Sequence, residues 1–395
     1  MLIDDISRCY DHPGPFVSVY LETPSDDPQA AATTALRWKN LRRTLSDQGA
    51  DEATLAAVDR AVGVDTDAVS PGISAAPENS PATPPPDDQA EHGGGEVLAV
   101  VAASGEVLLR RFVREVRAAG WARAAALPWV VPLLEEQQRR VPYLVALLDR
   151  LGADIWGEGR GGAPAVEEEV HGADYPIRRS APGGWSQRRF QQRALNTWDA
   201  NAREVAQRLA ERARDLGAEL VLVAGEEHVV SELCESLPAE ISPLVRQLSS
   251  GARSEGIAGV ADEVERLVRS AAAERVVALL EAFREGVGRG ERATAGVETV
   301  VGALRMAMVD TLLVHDEPTD ERTAWFGPDP LLLGLGPADL EALGVDAPQE
   351  ARLVDVCVRA ALGGGAAVRV VPGHVIDGGV GALLRAPAAA VEAGG

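Results

Sequence analysis

The stretch Gly183-Gly184-Trp185-Ser186-Gln187-Arg188-Arg189-Phe190 opens a run in which Phe190, Ala194, Trp198, Ala202, Val205 and Leu209 recur at helical spacing. Gly217 stops the helix, and Ala218-Glu-Leu-Val-Leu-Val-Ala224 follows as an apolar run of strand length. Upstream, Tyr143-Leu-Val-Ala-Leu-Leu148 and Ala153-Asp-Ile-Trp156 flank Asp149-Arg-Leu-Gly152, a hairpin signature. A hairpin, a glycine loop, a helix and a further strand make residues 138–285 an α/β domain, with a mixed sheet from which the loop protrudes into its helix. Ser186 is read as the helix N-cap, its hydroxyl satisfying an amide of the first turn.

Both flanks of this segment alternate in the same way. Phe16-Val-Ser-Val-Tyr-Leu21 reads as a strand after the turn at His12-Pro-Gly-Pro15, and 30–62 is helical, with Leu36, Leu41, Leu45, Leu55 and Val58 on recurring faces. Glu96-Val-Leu-Ala-Val-Val101 and Val107-Leu-Leu109 resume the strands. Between them, 65–95 is rich in proline and acid with almost no large apolar side chain, and is expected to be a disordered loop interrupting a first domain over 1–135. On the other side, a long amphipathic helix is expected from Gly256 to Gly286. Beyond it a helix at 297–306, strands at 309–314 and 367–371 and a helix at 351–362 describe a third α/β domain over 286–395. The fold class is therefore α/β, in three domains.

With 395 residues, 46% of them hydrophobic, the chain can bury cores of that number and size. Cys9, Cys234 and Cys357 are odd in number and far apart, which suggests three buried thiols in a reducing compartment rather than a disulfide framework. No apolar run has the length of a membrane span and none near the start resembles a signal peptide, so a cytoplasmic protein with no membrane partner is expected.

A formal net charge of −22 opposes nucleic acid as a partner over long range. The segment after Gly183 departs from that average: Arg188, Arg189, Arg193, Arg203, Arg208, Arg212 and Arg214 face only Asp199, Glu204 and Glu211. An arginine-rich helix face is commonly a solvated surface with internal pairs. Arg188, Arg189 and Arg193, however, have no acid along their own turn. Gly183 and Gly184 permit close backbone approach, Trp185 offers a flat face for stacking, and the arginines behind it suit phosphates. Composition leaves two readings of equal weight: this RNA contact, or an ordinary turn whose Trp185 folds back on its own domain.

Other chemistry is sparse. The six histidines show neither H-E-x-x-H nor C-x-x-C company, so no metal site is expected. There is no nucleophile elbow and no P-loop, and Gly334-Leu-Gly-Pro-Ala-Asp339 lacks the third glycine of a dinucleotide fingerprint; no cofactor is expected. Glu167-Glu-Glu169 reads as part of a solvated hairpin rather than as acid/base machinery.

The sequence resembles the archaeo-eukaryotic peptide-release-factor and Pelota superfamily, in its bacterial branch. Release factors there carry a Gly-Gly-Gln tip followed by Ser, two variable residues, Arg-Phe and a basic helix; every one of those positions matches Gly183 to Phe190 except the glutamine. Gly296-Val-Glu-Thr-Val-Val-Gly-Ala-Leu304 with Val309-Asp-Thr-Leu-Leu-Val314, and Gly379-Val-Gly-Ala-Leu-Leu-Arg385, look like the opening and close of the family's L7Ae-like last domain, an α/β/α sandwich. Gly14-Pro-Phe-Val-Ser-Val-Tyr20 and Leu127-Pro-Trp-Val-Val-Pro-Leu133 are weaker matches to actinobacterial members. No Asn-Ile-Lys-Ser decoding motif is present.

The resemblance implies a ribosome-binding factor whose loop, Gly183, Gly184, Trp185, Ser186 and Gln187 with Arg188, Arg189 and Arg193, contacts ribosomal RNA near the peptidyl-transferase centre. It implies an elongation factor Tu-like GTPase as a second partner. In the family the glutamine helps place the water that cleaves peptidyl-tRNA, and the indole of Trp185 has neither the acceptor nor the paired donors for that task. A non-enzymatic, hibernation-type role is expected. The alternative is a peptidyl-tRNA hydrolase or tRNA-cleaving rescue enzyme in which Gln187 supplies the missing amide.

Overall fold

The computed structural model describes residues 2–23, 30–63, 96–114, 116–159, 166–171 and 184–387. The expected loop at 65–95 lies outside them. The chain forms two compact units, one of residues 1–138 with 279–395 and one of residues 139–278. Each is α/β, as the alternation of runs predicts.

The first unit begins with α1 (Leu2–Cys9), β1 (Phe16–Thr23), α2 (Ala30–Asp47), α3 (Glu52–Val62), β2 (Glu96–Ala103), β3 (Glu106–Val113), β4 (Trp121–Ala125) and α4 (Val131–Arg139). The strands form an antiparallel sheet in the order β3-β2-β1-β4. Asp51 caps α3 by accepting from the Thr54 amide at 2.9 Å, which is why the helical run from 30 to 62 breaks into two helices there. Alternation in Phe16 to Leu21 predicts one wet face, yet all six residues are buried. The reason is cover on both sides. Val17, Val19 and Leu21 pack with Leu98 and Val100 against Trp38, Leu45, Leu55 and Val58, while Phe16 and Tyr20 join a core shared with the C-terminal part of the chain. Leu127-Pro-Trp-Val130 leads into α4.

The second unit contains β5 (Tyr143–Leu148), β6 (Gly152–Glu158), β7 (Val166–His171), α5 (Gly184–Leu216), β8 (Leu220–Ala224), α6 (Glu227–Ser236), β9 (Val245–Gln247) and the greater part of α7 (Ala261–Arg289). The sheet is mixed, in the order β7-β6-β5-β8-β9, with the hairpin strands antiparallel and β5, β8 and β9 parallel. Asp149 makes the hairpin turn by accepting from the amides of Leu151 and Gly152 at 2.7 and 2.9 Å. Gly152 is required by proximity: a Cβ there would lie 1.9 Å from the Val170 carbonyl oxygen on β7. One face of the sheet packs Leu144, Ile155 and Val221 against α5 and α6; the other packs Val145, Leu147 and Leu222 against Val260 and Val264 of the segment that enters α7. That segment begins as a 3-10 turn over Ile257–Val260, and the α-helix starts at Ala261, five residues later than the amphipathic pattern suggests.

The chain returns to the first unit with β10 (Ala293–Ala295), α8 (Val297–Arg305), β11 (Val309–Val314), β12 (Thr323–Phe326), β13 (Leu333–Gly334), α9 (Pro337–Glu341), β14 (Gln349–Arg352), α10 (Leu353–Gly363), β15 (Ala367–Val370) and β16 (Val380–Leu384). One sheet runs β10-β16-β11-β15 and a smaller one β13-β12-β14. Leu312, Leu353, Cys357 and Val358 share a core with Ile6, Tyr20, Trp129 and Leu133 from the N-terminal part. A polar seam accompanies it. Trp129 Nε1 donates to Asp316 at 2.7 Å, Arg352 pairs with Asp316 at 2.8 Å, and the Arg123 guanidinium lies over the Trp129 ring. Asp355 is buried beside Arg352 and Arg123, at 3.6 and 3.9 Å. Burial pushes its carboxyl up to about 7, against the pull of the two arginines.

Cysteine placement departs from expectation at one position. Cys9 and Cys357 are buried, but Cys234 is exposed. On α6 the inward residues are Val229, Val230 and Leu233, and one further residue rotates the thiol about 100° out of the core.

Candidate functional site

Residues 172–183, Gly183 among them, lie outside the described residues, and of 184–199 the helical backbone is described. That backbone corrects one expectation. The helix starts at Gly184, so Ser186 belongs to the first turn and is not its N-cap. The first amides of a helix have no intrahelical acceptor in any case, so a Gly-Trp-Ser run can be helical without a serine cap ahead of it. Trp185, Ser186 and Gln187 therefore share the first turn, and Arg188, Arg189 and Arg193 occupy the next two. The first turn carries no acidic residue, and the first amides of a helix, having no intrahelical acceptor, favour an anion. Over 33 residues α5 is about 50 Å long.

The C-terminal half of α5 anchors it. Ala202, Val205, Ala206, Leu209, Ala210 and Ala213 are buried at the helical interval, most of them against β5, β6 and β8. Asn201 Nδ2 donates to the Arg150 carbonyl at 3.1 Å, tying α5 to the hairpin turn. Three of the remaining arginines are spoken for. Arg212 Nε donates to Glu168 at 2.6 Å and Arg208 reaches the same carboxylate at 3.5 Å; Arg214 pairs with Glu240 at 2.7 Å. The solvated, internally paired reading thus holds for Arg208, Arg212 and Arg214. Arg203 is exposed without an ion pair among the described residues. Of the basic run, Arg203 is thus the described side chain left for a partner; those of Arg188, Arg189 and Arg193 lie outside the described residues.

The glutamate run on β7 does more than face water. Glu168 shares the α5 side of the strand with Val166 and Val170, and its side chain is 19% exposed. Glu169 points to the other side and accepts from Arg253 NH2 at 2.6 Å. Arg253, 12% exposed, also donates through Nε to Asp154 at 2.7 Å and faces Asp149 at 3.4 Å. One guanidinium thus joins β7, β6 and the β5–β6 turn, while Glu168 joins β7 to α5. β7, the strand that leads into 172–183, is thus fastened on both faces. Sequence reasoning missed Glu168 and Arg253. The period-2 pattern of Val166-Glu-Glu-Glu-Val170 contained the signal for Glu168, since it puts that residue on the apolar face. Nothing local marks Arg253, which follows β7 by more than eighty residues.

No group of three or more His, Cys, Asp or Glu side chains that could hold a metal ion occurs among the described residues. No helix among them is long and apolar enough to cross a membrane.

Comparison with known proteins bears on the same segment. Residues 142–289 match the family model described as bacterial archaeo-eukaryotic release factor family 2. This match supports the release-factor superfamily for the unit that contains α5. Uncharacterized proteins of two Mycobacterium tuberculosis strains are each 28% identical over 386 residues, covering 94% of this chain and 93% of the relative. Similar solved structures include Archaeoglobus fulgidus Pelota, at 16% identity and a TM-score of 0.31 over 74% of this chain and 79% of that one. An archaeal translation termination factor is 18% identical with a TM-score of 0.22, covering 97% and 96%. A translation termination-like factor of S. cerevisiae involved in RNA quality control is 10% identical with a TM-score of 0.36, covering 63% and 64%.

Proposed function

We propose that the protein is a ribosome-associated translation factor of the release-factor kind that occupies the peptidyl-transferase region without cleaving peptidyl-tRNA. The observation that carries this reading is Trp185 at the position of the family's glutamine, inside a segment that matches the family and otherwise keeps its Gly-Gly, Ser and Arg-Phe pattern. An indole can stack on a base but cannot hold a water between an acceptor and a donor. In this reading Gly183, Gly184, Trp185, Ser186 and Gln187 face ribosomal RNA, and Arg188, Arg189 and Arg193 contact phosphates. The role resembles that of the ribosome-hibernation factor Balon, with an elongation factor Tu-like GTPase as the partner beside it.

Cosedimentation with ribosomes from starved cells tests the reading. Association is expected at low salt and is expected to fall when Gly183 and Gly184 are replaced by bulky residues; undiminished association of that variant sinks the proposal.

The second reading, a peptidyl-tRNA hydrolase or tRNA-cleaving rescue enzyme, rests on Gln187. Its place in the first turn of α5 disfavours a shift of two residues into the glutamine position, because the helical backbone would have to unwind. Turnover of peptidyl-tRNA on stalled ribosome complexes, lost in Gln187→Ala, would establish this second reading in place of the first.

A further inference from the structure

Among the described residues β3 is an edge strand, paired only with β2, and its end with the residue that follows, Arg110-Arg111-Phe112-Val113-Arg114, is basic in a chain of net charge −22. Register places Arg110 opposite Val100 and Phe112 opposite Leu98, on the sheet face that α2 and α3 cover. The cover stops short. Arg110 Nε donates to the carbonyl of Ala61, close to the end of α3 at Val62, at 2.9 Å. Phe112 beyond it is 44% exposed and belongs to no core cluster. Among the described residues it is the only aromatic in the exposed class.

Arginines without a carboxylate partner, which elsewhere among the described residues are scattered (Arg203 on α5, Arg284 on α7), gather at this edge. On α5 and α7, Arg208, Arg212, Arg214, Arg266, Arg269 and Arg289 all have carboxylates within reach. Arg60, Arg110 and Arg111 have none among the described residues, and Arg114 has only Glu96 at 3.8 Å with its own side chain 82% exposed. The Arg110 guanidinium sits 5.2 Å from the centroid of the Phe112 ring. Leaving an aromatic in water with cations around it costs stability that a burial or a carboxylate would restore, and the sheet supplies neither.

We propose that Arg110, Phe112 and Arg114, with Arg60 at the end of α3, form a contact for single-stranded RNA. Phe112 stacks one base, in company with the Arg110 guanidinium, and Arg110, Arg114 and Arg60 hold successive phosphates. Alternate residues of a strand stand about 7 Å apart, close to the phosphate spacing of an extended single strand, so Arg110 and Arg114, four residues and about 14 Å apart, suit next-neighbouring phosphates. Stacking separates this occupant from an acidic peptide, which would use the arginines and leave Phe112 idle.

The surface lies outside the segment of the Gly183–Arg193 tip, and its test removes the tip's contribution. The full chain carrying Trp185→Ala together with Arg188→Gln, Arg189→Gln and Arg193→Gln is titrated against a fluorescein-labelled single-stranded oligoribonucleotide of mixed sequence, read by anisotropy at several salt concentrations. Binding is expected, with a log–log salt slope of about −2 for three phosphates. Phe112→Ala is expected to weaken it roughly 5- to 100-fold, and Arg114→Gln to flatten the slope by about 0.7. Because both side chains are exposed, thermal melting of the variants checks that the fold is kept. Absence of binding at low salt overturns the proposal, as does unchanged binding in Phe112→Ala. Polyglutamate competing as strongly as RNA overturns it in favour of an acidic protein partner. Loss of ribosome association through Trp185→Ala with oligonucleotide binding intact separates the failure of one surface from that of the other.

Discussion

Glu168 on β7 accepts from Arg212 on α5 at 2.6 Å, a link between the strand that enters the candidate loop and the helix that leaves it. Residues forty-four apart in sequence thereby join β7 to the C-terminal half of α5, about 40 Å along the helix from Gly184.

Replacement of Glu168 by Ala is expected to loosen β7 without unfolding the unit. The pair is partly exposed, so solvent screening keeps its worth small, and amides of 166–171 should exchange roughly two to five times faster. Hydrogen exchange read by mass spectrometry would show it; unchanged protection of β7 would mean that Arg253 and the strand pairing alone hold the strand.

Gly152→Ala is expected to be costly. The added Cβ would fall 1.9 Å from the Val170 oxygen, so β6 and β7 must separate or the turn must rebuild. A loss of more than about 2 kcal/mol is expected, in the range of overpacked or strained sites. Urea unfolding followed by circular dichroism measures it, and a shift below half that size would show that the strands part easily.

Asp355 gives the first unit a pH dependence of defined sign. Its folded-state pKa of about 7 lies above the ordinary 3.8 because the carboxyl is buried, so the folded protein holds the proton more tightly than the unfolded chain. Its contribution is complete below about pH 4 and is lost as pH rises through 7, with an amplitude on the order of 4 kcal/mol at most. Asp355→Asn should therefore gain on the wild type as pH rises across that window. Unfolding midpoints of the two proteins at several pH values test this, and parallel curves would rule out the assignment.

Trp185→Ala is expected to weaken ribosome association roughly 5- to 100-fold, the worth of about 1–3 kcal/mol for one stacked base. Cosedimentation across a concentration series gives the ratio. Equal affinity would mean that the indole folds back on its own unit.

Much of the middle unit was legible in the chain itself. The hairpin of Tyr143 and Trp156, the helix after Gly184 and the strand before Ala224 follow from period and punctuation, which are local properties of ten to thirty residues. The same locality explains the errors. Ser186 looked like a cap because serine commonly is one, and nothing nearby revealed that the helix starts earlier. Cys234 looked buried because cysteine usually is, while its exposure depends on the phase of α6 set by Val229, Val230 and Leu233.

What the sequence determined by itself was the α/β alternation, the basic start of α5 and the tryptophan where the release factors it resembles carry glutamine. These are matters of covalent order and local spacing. Tertiary structure alone decided that Tyr20 and Trp129 share a core with Leu353 and Cys357, that Arg208, Arg212 and Arg214 are neutralised, and that Phe112 is left in water. Each depends on which distant segment covers a given face. Burial and ion pairing are properties of contacts between separated residues, and no local pattern encodes which contacts the folded chain will make.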